Sequence, residues 1–168
     1  MRNLILMLIL LGLALFLQTA MVSRMNLLSG SGDIVLLLVA AWGLQERVRF
    51  TWTLAAAAGL CMGAISGAPW ALYLAVYLLI AGMARFLTRR IWQAPMLAMF
   101  AVTFLANMLL LSSVSLYRVL FENTNIQFAE SFVQIILPSV LMNLILAVGI
   151  LPLVRNLADR FYPAEAAS

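Results

Sequence analysis

Few residues in this chain have types and spacings that could do chemistry. It contains no histidine, no lysine and a single cysteine. Catalysis needs convergent acid, base, nucleophile or metal ligands, and the common transition-metal sets draw on histidine and cysteine. Cys61 stands inside an apolar run, where a thiol behaves as a small packing residue, and with no intrachain partner it founds no disulfide framework. This inventory argues against an enzyme and implies neither cofactor nor metal.

The remaining polar candidates are sparse. Ser66 offers a hydroxyl faintly like that of intramembrane rhomboid proteases, but the spacing Gly63-Ala64-Ile65-Ser66-Gly67 differs and the histidine base of that dyad has no counterpart. Transport coupled to protons or sodium usually leaves ionisable groups inside membrane spans. Here the ten arginines and six acids all fall in connections or at predicted helix ends. Asn107 and Asn143 are the conspicuous interior polar residues. They read either as a ligand or interhelical contact, or as amides bonded to each other or to backbone, a contact worth about 0.6 kcal/mol in membrane proteins.

The elements that would position these residues follow from composition. The chain is 65% hydrophobic and 10% charged, with a mean hydropathy of +1.08. A soluble domain is about half apolar and a quarter charged, so the solvent is lipid. The net charge of +4 does not indicate nucleic acid, because the basic residues sit singly between apolar runs. A bilayer core about 30 Å thick requires apolar stretches of about 20 residues, and six candidates occur. The first, 3–22, follows Met1-Arg2 like a signal peptide but without a convincing cleavage site, and is expected to stay as a signal anchor. The second, 33–47, is short and opens on Asp33, well placed to cap a helix at its positive end. The third, 51–66, ends at a Gly67-Ala68-Pro69 turn. The others are 69–86, 95–113 and 132–154. Together they predict an all-α integral membrane protein in one domain, a bundle of six transmembrane helices.

Orientation follows from the arginines. With six spans, Arg2, Arg47, Arg49, Arg85, Arg89, Arg90, Arg155 and Arg160 fall on one side and only Arg24 and Arg118 on the other. Basic residues collect on the cytoplasmic side, which predicts cytoplasmic N and C termini, with Arg47, Arg49, Arg85, Arg89, Arg90, Arg155 and Arg160 as anchors there.

Two further patterns concern association. Ala55, Gly59, Gly63 and Gly67 recur every four residues and fall near one helical face. Small residues let helix backbones approach closely, and the neighbour is either a helix of the same chain or another protein. On the outer side, the polar stretch from Val114 to Ser131 carries Tyr117, Arg118 and Phe121. It reads as an interfacial segment or as a docking surface for an extracytoplasmic partner.

The order of these features resembles the MreD family of bacterial rod shape-determining membrane proteins. The resemblance covers about residues 17–162. It rests on Leu17-Gln18 closing the first helix, the short second run ending in Gly43-Leu44, Gly59-Leu60-Cys61-Met62-Gly63-Ala64, the arginine-rich turn at 85–90, Leu137-Pro138-Ser139-Val140-Leu141-Met142-Asn143, and Pro152-Leu153. Many family members carry an acidic residue shortly after the second glycine, whereas this chain has Ser66-Gly67-Ala68-Pro69, so no role of that acid transfers.

The resemblance implies a fold similar to the substrate-binding subunits of energy-coupling-factor vitamin transporters. It also implies a non-catalytic scaffold of the cell-elongation machinery in the bacterial inner membrane. Its partner would be MreC and, through it or directly, MreB, RodA and the transpeptidase that works with RodA. The alternative is a vitamin-binding subunit itself. Such subunits present an Ala-x-x-x-Ala face in the first helix, and Ala14 is followed four positions later by Gln18.

Overall fold

The computed structural model describes residues 2–22, 32–48, 50–67, 69–90, 94–121 and 135–162. Six α-helices account for nearly all of them: α1 (Arg2–Val22), α2 (Ile34–Gly43), α3 (Thr51–Ile65), α4 (Trp70–Arg90), α5 (Pro95–Phe121) and α6 (Leu137–Phe161). No strand occurs among the described residues. Three helices, α4, α5 and α6, are long and apolar enough to cross a membrane. The outer surface is itself apolar, with Phe16, Trp70, Phe121, Ile145 and Leu153 all at least 60% exposed, as suits a bundle whose solvent is hydrocarbon.

The helix at the centre is the shortest. All nine residues from Val35 to Gly43 on α2 are buried, and α2 touches every other helix. A helix apolar on all faces belongs in a core. Ten residues make about 15 Å of helix, roughly half the thickness of a bilayer's hydrocarbon. In the predicted second stretch, 33–47, the helix stops at Gly43, and residues 44–48 continue as turns.

Two other bounds differ in the opposite direction. The fifth helix was expected to end at residue 113 and continues to Phe121, and the sixth continues past 154 to Phe161. Neither extension, 114–121 or 155–161, contains glycine or proline, so nothing breaks the backbone ladder when the side chains turn polar. Residues 132–134 of the predicted sixth stretch lie outside the described residues.

The closest helix pair is α3 against α4. A Cβ built on Gly59 would sit 2.8 Å from the Cα of Leu74, and one on Gly63 would sit 2.6 Å from the Cα of Trp70. Ala55, one turn earlier, is fully buried. The small-residue face is thus filled from within the chain, by α4. Gly67 does not belong to it. It lies beyond the end of α3 at φ +69°, in the left-handed region, with open space where a side chain would be. Its conformation in the turn, and no close approach, calls for glycine there. A glycine that spacing did not single out, Gly43 at the end of α2, makes a separate close approach to α4: a Cβ there would meet that of Ala84 at 2.7 Å.

Candidate functional site

The interior polar residues converge on the two ends of α2. At its N-terminus Asp33 is the N-cap, its Oδ1 accepting from the Leu36 amide at 2.9 Å. A helix start leaves several N–H groups without intrahelical partners, and here neighbouring helices supply them. The amide of Ile34 donates to Gln18 Oε1 of α1 at 2.7 Å, while Gln18 Nε2 donates to the Gly32 carbonyl at 3.1 Å. The amide of Asp33 donates to Asn143 Oδ1 of α6 at 2.7 Å. The Tyr77 hydroxyl of α4 donates to Asp33 Oδ2 at 3.2 Å.

From Asn143 the bonding continues inward. Asn143 Nδ2 donates to Asn107 Oδ1 of α5 at 2.6 Å, and Asn107 Nδ2 donates to the Thr103 carbonyl at 2.8 Å. The direction of this chain is fixed at both ends. A backbone N–H can only donate and a carbonyl can only accept, so each amide has one orientation that satisfies its neighbours. The two asparagines therefore meet, both buried, and tie α5 and α6 to the entrance of α2. They read as a lock between helices.

A single cation holds the other end of α2. The Arg85 guanidinium of α4 donates to the carbonyls of Gln45 and Glu46, both at 3.2 Å, to the carbonyl of Val48, and to Thr51 Oγ1 at 2.5 Å. These carbonyls lie just past a helix C-terminus, where the ladder ends and the dipole favours positive charge. Arginine suits the task because its planar fork presents five donors at once. From Tyr77 to Arg85 is about 12 Å along α4, so one helix grips α2 at both ends.

The remaining predicted residues fall in two places. Arg47, Arg89, Arg155 and Arg160 lie with Arg85 at one end of the bundle, where the α2–α3 connection meets the C-terminal ends of α4 and α6. Arg47 forms an ion pair with Asp159 at 3.7 Å, both more than half exposed, which contributes little to stability. Arg49 and the side chain of Arg90 lie outside the described residues. At the opposite end of α5, Tyr117, Arg118 and Phe121 occupy the last turns of a helix and not a connection. The rings of Tyr117 and Phe121 stack at 5.0 Å, and Phe121 is 71% exposed.

Sequence reasoning missed Gln18 and Tyr77, and it read Arg85 as an anchor without seeing the contacts that make it a clamp as well. The available signal was polarity inside apolar runs: Gln18 near the end of a span, Tyr77 in the middle of one. Chemically the arrangement binds backbone to side chain and helix to helix. Among the described residues no three acidic, cysteine or histidine side chains cluster as metal ligands would. Comparisons of the chain with protein-family models, with curated proteins and with solved structures return no match.

Proposed function

We propose that this chain is a non-catalytic scaffold of the bacterial cell-elongation machinery, as its resemblance to the MreD family implies. In this reading it crosses the inner membrane six times with both termini in the cytoplasm. It binds MreC, communicates with MreB, RodA and the transpeptidase partner of RodA, and so helps organise peptidoglycan synthesis. The observation that carries the reading is the use of the intramembrane polar groups. Gln18, Asp33, Tyr77, Asn107 and Asn143 bond to one another and to backbone, which fixes five helices in place. A rigid bundle held in this way suits a protein that works through its outer faces.

Of those faces, the end of α5 is the one we assign to an extracytoplasmic partner. Interface energy concentrates in a few aromatic and arginine anchors, and Tyr117, Arg118 and Phe121 present two aromatic rings and an arginine on adjacent turns. The test is affinity purification from native membranes with mass spectrometry, comparing the wild type with the Tyr117→Ala, Arg118→Ala, Phe121→Ala triple variant. The variant should insert normally and recover less MreC. Recovery of MreC at the wild-type level would remove this segment from the interface. Stoichiometric co-purification of a vitamin, with uptake lost on deletion, would replace the scaffold by the transporter reading.

Topology is tested separately by reporter fusions. Those after Arg49, after Arg90 and at Ser168 should report cytoplasm, and those near Ser29 and Asn125 the exterior. A cytoplasmic signal at Asn125 would overturn the six-span arrangement.

A further inference from the structure

Where the α2–α3 connection meets the ends of α4, α5 and α6, the bundle opens into a cleft of about 230 Å³. Its floor is apolar, including Leu44, Ala98 and Leu151, and its rim carries Glu46, Arg47, Arg155 and Asp159. The lining holds two arginines and two carboxylates, but they are not paired one to one. Asp159 lies one turn after Arg155 on α6, a spacing at which the two could pair, yet its carboxylate is turned to Arg47 at 3.7 Å. Arg155 is left with no hydrogen bond or ion pair to any described residue. An exposed cation above an apolar floor, at the end of a lipid-facing bundle, matches a phospholipid: phosphate outermost and glycerol backbone beneath. Arginines near the membrane surface attract such headgroups, by about 1 kcal/mol each.

We infer that this cleft is a binding site for a phosphate group, that of an anionic phospholipid headgroup, with Arg155 as its principal ligand and Arg47 as the second. Arg47 reaches the phosphate by leaving Asp159, an exposed pair that costs little to break. The inference rests on the membrane-embedded bundle alone and is independent of any role in cell elongation.

The full-length chain, purified in a neutral detergent, is titrated with phosphatidylglycerol and, separately, with phosphatidylcholine, and lipid binding is read by native mass spectrometry. Phosphatidylglycerol should bind in preference. Arg155→Gln should weaken its binding about fivefold, the size of one arginine's attraction to an anionic headgroup. Arg160→Gln, an exposed arginine on the same helix end but not lining the cleft, should leave it unchanged. Equal losses in the two variants would show diffuse attraction to a basic surface and overturn the assignment, as would equal binding of the two lipids. Inorganic phosphate at tens of millimolar distinguishes the source of the ligand. Retention of the lipid against it supports a headgroup site, and full displacement would overturn the lipid assignment in favour of a soluble phosphate. Because Arg155 is exposed and bonded to no described residue, its replacement by glutamine leaves the fold intact, and a circular dichroism melt verifies that.

Discussion

Gly63→Ala is the perturbation whose effect follows most directly from the geometry. The added Cβ would lie 2.6 Å from the Cα of Trp70 and 3.1 Å from its Cβ. The obstacle is the backbone of α4, which cannot swing aside as the tip of a side chain could. To regain ordinary contact at 3.4 Å, α3 and α4 must part by about 0.8 Å. Overpacking of a tight core costs about 1–3 kcal/mol, while alanine in a helix gains about 1 kcal/mol over glycine. A second variant removes that ambiguity. Gly149 is also inside a helix, and a Cβ there meets nothing within 4 Å. The propensity gain is common to both substitutions, so the difference between Gly63→Ala and Gly149→Ala isolates the clash, at about 1–3 kcal/mol. Thermal unfolding in detergent reads this, at about 2–4 °C per kcal/mol for a chain of this length. Gly149→Ala should melt at or above the wild type, and Gly63→Ala clearly below Gly149→Ala. If Gly63→Ala melts level with Gly149→Ala, the helices do not approach as described and the small-residue face packs elsewhere.

Two other predictions follow from the ends of α2. A double-mutant cycle of Asn107→Ala and Asn143→Ala should give a coupling energy of about 0.6 kcal/mol, at most about 1.7 kcal/mol, the range for hydrogen bonds between membrane helices. Strict additivity in the unfolding free energies would show that the two amides do not meet. Arg85→Lys keeps the charge but loses the fork that serves Gln45, Glu46, Val48 and Thr51 together. It should destabilise the α2–α3 connection by about 1–3 kcal/mol and speed tryptic cleavage after Arg47, and an unchanged cleavage rate would contradict the clamp.

The helical segments were legible because their punctuation is chemical. Gly67 and Pro69 separate α3 from α4, Pro95 opens α5, and Asp33 caps α2. Their lengths were less so. A bilayer-sized window stops where side chains become polar, at Val114 or Arg155, whereas the backbone ladder stops only where a glycine, a proline or a better bonding partner interrupts it. The same reasoning explains Gly67: a four-residue period has meaning only while the helix lasts, and α3 ends two residues earlier. As for the site, Asn107 and Asn143 could be recognised as interior amides. Their connection to Asp33 could not, because it joins residues 110 positions apart, and no local pattern encodes which distant helix an amide will face. The clamp was hidden for a different reason. Arginine at the end of an apolar run has an adequate explanation in membrane topology, and that explanation obscured its second task.

The central position of α2 bears on how the protein is made. At about 5–20 residues per second, a ribosome that has just finished Asp33 needs about 6–22 s to reach Asn143. Until then the entrance of α2 lacks the α6 amide that accepts its first N–H, and Arg85 arrives in the meantime to hold the exit. A ten-residue apolar helix covers only half the hydrocarbon thickness, so it has no stable place in the bilayer by itself. Its final seat is created by helices synthesised after it. Chains truncated before α6 should therefore keep an unseated segment and become substrates of membrane quality-control proteases, while full-length chains escape. Release from surveillance would coincide with the moment the last helix delivers Asn143.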